Sequence, residues 1–413
     1  MRYAERLAGF VFAVLVMASP AVAQPAAPAP APATETIDVF DLWRKVRHKE
    51  GEAQAQPFDY RKKMIAFAPV IGAKPSAGML LGAAGNVAFY RGDPATTHIS
   101  SLVASMTFST KKQTALTDRF TMFAAADRWR LEADHRFQWT SLETHGLGAS
   151  ADTRDGTLAD FDFYRLHHTA FYRLRPALYA GVGLYYDNHT NIGPREGEEA
   201  AWTESAFVKY SEAHGFPLES QAAAGTSFDL LWDSRDNFIN ADRGWMAKAG
   251  YRTLFGGFLG GDSSWQKLTL DARSYVNLSQ DRRHKLAFWG YADLVTGGVA
   301  PFLDLPSTAS DTYGRAARGY AEGQFRGERL AYAEVEYRGT LMRNGLLGMV
   351  AFLNTTTVTN LATDERLFDS FASAGGAGLR LLINKRSKTN LCFDVGFGKQ
   401  GSRGIYLAIQ EAF

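Results

Sequence analysis

The sequence predicts an all-β fold, a transmembrane antiparallel β-barrel of about sixteen strands. Three observations carry that expectation: a hydrophobic period of two from Lys63 onward, segments long enough to cross a bilayer at a tilt, and connections that alternate between short and long. An aromatic content of 13% and 39 glycines fit a large β-structure better than a helical bundle.

Before the barrel, Arg2 and Arg6 precede the apolar run Leu7 to Met17, and Ala21-Val22-Ala23 supplies small residues for cleavage. Residues 1–23 therefore read as a signal peptide. Its removal subtracts Arg2, Arg6 and Glu5 and leaves the formal charge near +1, which favours neither nucleic acid nor an acidic partner. Residues 24–62 begin as an alanine-proline linker. Ile37 to Lys49 then places Ile37, Phe40, Leu42, Trp43 and Val46 among charges, as a short amphipathic helix or as a partly ordered leader. One cysteine, Cys392, excludes a disulfide scaffold.

Residues 63–413 are the expected barrel. Arg130, Glu132, Asp134 and Arg136 alternate with Leu131, Ala133 and Phe137, and Lys267, Asp271 and Arg273 with Leu268, Leu270 and Ala272. Only an extended strand separates neighbours in this way. In a membrane barrel the apolar set meets lipid, and these seven charged residues line a wet lumen. The strands are expected at Met64–Ala73, Gly78–Tyr90, Thr97–Ser109, Gln113–Ala125, Trp129–Trp139, Asp160–Arg173, Leu178–His189 and Gln221–Asp233. The second half adds Gly244–Thr253, Trp265–Leu278, His284–Val295, Arg329–Arg338, Gly345–Asn354, Phe371–Ile383, Thr389–Gly398 and Gly404–Phe413. Turns at Leu174–Ala177, Ser279–Arg283, Gly339–Asn344 and Asn384–Lys388 are short. Connections at Thr140–Ala159, Thr190–Ser220, Thr296–Glu328 and Thr355–Ser370 are long. A soluble sandwich has no reason to sort its loops by end.

Two places suggest function. In the long loop between the eleventh and twelfth strands, Arg318-Gly319-Tyr320 lies among flanking glycines. A guanidinium in a lumen of reduced dielectric requires carboxylates. The expected partners are, in order, Glu336, Glu334 and Asp394, with Gly319 turning beside the wall and Tyr320 packing on it. The competing reading is a solvated loop arginine on the outer surface. The second place is the junction of the first and last strands. Pro69 cannot donate to a ladder, so it belongs at an edge or bulge, or else at the membrane rim. Ile405, Leu407, Ile409 and Phe413 are expected on one face of the last strand, ending in an aromatic that resembles the tag read by outer-membrane assembly machinery. Glu411 interrupts that row.

With these residues in view, the chain resembles the BamA/TamA outer-membrane insertase and translocase superfamily, also called the bacterial surface antigen family. Phe67-Ala-Pro-Val-Ile-Gly-Ala-Lys-Pro75 with Gly78 and Gly82 resembles its opening strand pair. Asp233-Ser-Arg-Asp-Asn-Phe238 with Gly244 looks like its mid-barrel turn, Arg318-Gly319-Tyr320 like its inward loop motif, and Gly375-Gly-Ala-Gly-Leu-Arg380 like its late glycine-rich strand. There are two departures. Gln24 to Lys62 is too short for the family's periplasmic transport-associated domain, and Asn354 stands where many members carry aspartate.

The resemblance implies a Gram-negative outer-membrane location, surrounding lipid or lipopolysaccharide, and unfolded barrel proteins or secreted polypeptides as clients. Insertion of the barrel itself would need the assembly machinery. It implies no cofactor and no covalent chemistry. A diffusion pore is the alternative. Adjacent His167 and His168 face opposite sides of a strand and cannot chelate together, and Gly256 to Gly261 lacks the lysine of a phosphate loop.

Overall fold

A computed structural model describes residues 36–47, 59–74, 77–124, 126–154 and 156–413. The expected signal peptide, and the alanine-proline tract after it, lie outside the described residues.

Sixteen strands form one sheet in sequence order, each antiparallel to the next. They are β1 (Met64–Lys74), β2 (Gly78–Phe89), β3 (Ser100–Ser109), β4 (Thr114–Ala124), β5 (Trp129–Thr144), β6 (Thr157–Arg175), β7 (Leu178–Pro194) and β8 (Gln221–Asp233). The ring continues with β9 (Gly244–Leu254), β10 (Trp265–Asn277), β11 (His284–Gly298), β12 (Arg329–Thr340), β13 (Leu347–Val358), β14 (Ala372–Asn384), β15 (Thr389–Gly398) and β16 (Arg403–Ile409). The helices are α1 (Val39–Val46), α2 (Glu199–Trp202) and α3 (Ala206–His214).

Alternation along the strands gives the tube its two faces. On β5, Arg130, Asp134 and Arg136 are buried inside, whereas Trp129 and Trp139 are exposed outside. Phe67, Val182, Leu184, Phe228, Leu353 and Phe397 also face outward and are more than half exposed. Such an apolar exterior is what a lipid-facing barrel presents. Aromatic pairs mark its two rims on one wall: Trp129 against Tyr172 at one end, and Trp139 against Tyr164 towards the other. His167 points inward to Asp187 and His168 outward to His135, on opposite faces as expected.

The sheet is not fully closed. Among the described residues no ladder joins β1 to β16. The inward alanines Ala66 and Ala68 instead pack with Ile383 and Ile409. This seam is therefore closed by side chains rather than by backbone hydrogen bonds.

Several boundaries differ from the sequence expectation. β5, β6 and β7 run to 16, 19 and 17 residues, rising past the aromatic rim. Polar bonds such as Thr144 to the Thr157 carbonyl continue the ladder there. The connection after β7 holds α2 and α3, where a plain loop was expected. Ser205 caps α3 by accepting from the Val208 amide, and Gly215 ends it at φ 72°.

The last strand needs the main correction. Phe413 was expected to share a lipid-facing row with Ile405, Leu407 and Ile409, but β16 stops at Ile409. Gln410 takes φ 75°, and the chain turns into the lumen. There Phe413 is buried 5.2 Å from the Trp289 ring, with its backbone carbonyl accepting from Arg338. Glu411, read as a break in an apolar row, bonds Arg380 and Asn390 inside. Ion pairing and a buried aromatic outweigh continued lipid contact.

Candidate functional site: the anchored lumenal loop

Residues 299–328 leave β11 and fold back into the tube. Their base is fixed by Arg326, which donates to the carbonyls of Phe302 and Leu303, both at 2.8 Å. A tight turn follows at Asp311, whose carboxylate accepts from the amides of Tyr313, Arg315 and Ala316. The wall holds this turn as well. Arg136 on β5 donates to the carbonyls of Asp311 and Thr312, and Arg119 on β4 reaches Thr312 at 2.7 Å.

At the tip, Arg318 is fully buried. Its guanidinium bonds Glu334 and Glu336 on β12 and reaches Asp394 on β15 at 2.8 Å. The Phe352 ring lies beneath the guanidinium plane, 3.8 Å away. All three carboxylates expected from the sequence meet this one arginine. Arg338 bonds the second oxygen of Glu336 at 2.6 Å, and Arg380 bonds Asp394 and Glu411 at 2.5 and 2.7 Å. Three guanidiniums thus face four carboxylates. Tyr332 also donates to Glu334. Charges taken so far from water are tolerable only with this degree of mutual pairing.

Asn354 clarifies the second departure noted in the sequence. Its amide donates to the Arg318 backbone carbonyl at 2.9 Å. An aspartate there could not donate, and it would add a fifth carboxylate to the cluster.

The backbone of the tip lies against the wall. Gly319 has φ 110°, and a Cβ on it would come 2.8 Å from the Ala374 Cβ. Its amide donates to the Tyr406 hydroxyl, and its carbonyl accepts from Ser402. Tyr320 donates to the Ser373 carbonyl at 2.6 Å and accepts from the Lys399 amide. Gly398 makes room for it, since a Cβ there would lie 2.4 Å from the Tyr320 ring. Arg380, Phe352, Tyr406 and Gly398 were not singled out as partners from the sequence. Their inward positions in alternating strands were the available signal.

The remaining lumenal charges form a separate belt. Arg130 pairs with Glu132 and Asp233, and Asp134 with Arg136. Lys267 pairs with Asp293, and Arg273 with Asp271. Between this belt and the loop remains a cavity of about 170 Å³. At the seam, Pro69 is exposed at the outer face of β1, and Ile405 is exposed while Ile409 is buried.

A profile described as the Omp85 superfamily domain matches residues 101–409. Among solved structures, the chain is similar to BamA from Haemophilus ducreyi lacking POTRA domains 1–3. That match has 15% identity, covers 85% of this chain and 69% of that one, and has a TM-score of 0.54. It is also similar to CdiB from Acinetobacter baumannii, at 10% identity over 86% of this chain and 60% of that one, again with a TM-score of 0.54. The chain therefore spans less than two thirds of the CdiB chain, and at these identities the likeness is one of fold.

Proposed function

Because the chain belongs to the Omp85 superfamily, we propose that it assists polypeptides into or across the outer membrane of a Gram-negative bacterium. Its short turns face the periplasm and its long loops the exterior. Its clients are unfolded barrel proteins or secreted chains. The observation that supports this reading most directly is a seam without a ladder beside a lumen filled by its own loop. An unpaired strand edge is a template for an incoming strand, which can add by β-augmentation. No bond chemistry is needed. The seam lowers the barrier for a client strand that assembles downhill, while the anchored loop keeps the tube from leaking.

The pore alternative has less support. A diffusion channel needs an open path, whereas the loop occupies the lumen and the lumenal charges bond one another. Ala66 and Ile409 pack in one cluster at the seam, so a double cysteine variant, Ala66→Cys with Ile409→Cys, tests the proposal. In liposomes the reduced barrel should speed the folding of a test client, and oxidation should abolish that gain. Equal acceleration by the clamped barrel would reject the seam as the working element. Steady conductance without client folding would favour the pore.

A further inference from the structure

We propose that α1 is an interfacial helix, seated in the membrane leaflet on the short-turn side of the barrel, where it binds anionic phospholipid. The argument starts from how the helix is held. Asp38 caps it, accepting from the Asp41 amide while the Asp41 carboxylate accepts from the Asp38 amide. The polar side is then fastened to two turns. The Ile37 amide donates to the Asn344 carbonyl at 3.0 Å. The Lys385 amide donates to Asp38 at 2.9 Å, and the Lys385 ammonium pairs with Asp41 at 2.8 Å and reaches the Thr36 carbonyl at 3.0 Å. These contacts bind the helix to the β12–β13 and β14–β15 connections at the rim, not inside the tube.

Among the described residues the opposite face has no such partner. Phe40, Leu42, Trp43 and Val46 are 38, 41, 56 and 75% exposed, and no residue of the helix is buried. With Val39 they fall on one side at helical spacing, while Asp41, Arg44 and Lys45 fall on the other. A soluble protein seldom leaves such a stripe in water.

Two observations identify lipid as the occupant. First, the turn that holds the helix is itself apolar and exposed, at the end of the lipid-facing strands. The β12–β13 turn, whose Asn344 holds the helix, also exposes Leu341 and Met342, at 51 and 44%. Second, the surroundings are basic. The helix and its C-cap carry Arg44, Lys45 and Arg47, and the two turns that hold it carry Arg343, Lys385 and Arg386, six cations of which Arg44 and Lys385 share Asp41. A short helix with an apolar face and basic flanks, held where the lipid-facing strands end, is placed at the boundary between acyl chains and headgroups. Phosphate headgroups of anionic lipid complement the basic flanks. This inference is independent of insertase activity.

The test uses the full mature chain carrying Trp43→Cys with an environment-sensitive fluorophore. Cys392 is buried, so labelling of the folded barrel falls on residue 43. The protein is reconstituted in vesicles of phosphatidylethanolamine and phosphatidylglycerol. Nitroxide lipids labelled high on the acyl chain should quench the probe at least about threefold more than aqueous iodide does. Replacing phosphatidylglycerol with phosphatidylcholine should reduce that quenching, and adding Leu42→Glu with Val46→Glu should reverse the preference towards iodide. These substitutions lie outside the barrel strands, so folding can be checked separately by the heat-modifiable migration of the barrel. Preferential iodide quenching in the parent would overturn the proposal. Energy transfer between labelled copies without lipid quenching would overturn it too, by making a second copy the occupant. Protection from both quenchers would place the helix inside the lumen and reject it equally.

Discussion

The wall formed by β5, β6 and β7 and the wall that carries the seam are built differently. The first uses long ladders: 16 residues in β5, 19 in β6 and 17 in β7, with registers running almost unbroken along their lengths. The second brings an 11-residue strand beside a 7-residue one with no ladder between them. Backbone bonds hold the first. The second relies on side chains: the Arg318 cluster grips β12 and β15, and Glu411 and Phe413 tie the last segment to Arg380 and Arg338. The loop thus stiffens the strands next to the edge that it leaves unpaired. An edge closed by side-chain packing alone can open without dismantling the rest of the ring.

The sharpest way to break this comparison is to remove Arg318. Arg318→Ala leaves Glu334 without its guanidinium and Glu336 and Asp394 with fewer, all deeply buried. Loss of one partner from such a cluster costs about 3–5 kcal/mol. The denaturant midpoint of the detergent-solubilised barrel should fall accordingly. Hydrogen exchange should accelerate in β12–β16 while β5–β7 stay protected. Uniform acceleration around the ring would show that the two walls are not held by separate means.

A double-mutant cycle comes next in size. Arg318→Ala combined with Glu336→Ala should show a coupling of about 1–3 kcal/mol, as expected for groups in direct contact. Simple additivity would dismiss the pairing as energetically idle. The same cycle with Glu132→Ala, on the far wall and paired with Arg130 and Lys248, should be additive and serves as its reference.

Close approach can be probed without touching charge. Gly398→Ala places a methyl where the Tyr320 ring now lies, 2.4 Å from its nearest atom. Either the ring or the strand must move, at a cost of roughly 1–3 kcal/mol by overpacking. Gly193→Ala on β7, where a Cβ meets nothing within 4 Å, is the matched control on the other wall.

Much of this was legible in the chain itself, because period-two alternation and loop sorting are local signals. All sixteen strands begin within three residues of their expected starts, β3 included although His98 and Ile99 remain outside it. Glu334 and Glu336 were readable as partners because strand alternation puts both inside, next to the loop that carries Arg318. Asp394 was harder to rank. Only the shape of the closed ring brings β15 within reach of a loop that leaves β11. The end of β16 misled for a physical reason. Ile405, Leu407 and Ile409 continue a lipid-facing pattern, but the left-handed turn at Gln410 follows from partners elsewhere in the ring, Arg380, Arg338 and Trp289, which no local period encodes. The Ser205 cap and Gly215 stop of α3 were legible signals that went unused.

The smallest effect concerns the turns on the seam side of the ring. His98, before β3, donates its amide to Asp127, before β5, at 2.8 Å, and its imidazole Nδ1 faces the same carboxylate. The hydrogen bond to Asp127 raises the His98 pKa above its usual value, against the opposing effect of partial burial. A raised folded value means that the protonated form is favoured by folding. Its contribution is therefore complete below the unfolded pKa of about 6.5 and disappears as pH climbs through the folded value. The imidazole is 43% exposed, so solvent screening keeps the contribution small. Imidazole NMR should show His98 titrating above free histidine, and Asp127→Asn should bring it down. Amides around residues 98 and 127 should exchange faster as pH rises through that titration, after correction for intrinsic rates. The β6–β7 turn at Ala177 carries no titrating pair of this kind and should follow intrinsic rates alone. A turn clamp that ignores its own histidine would mean that backbone bonding, as in β5–β7, also governs the seam side.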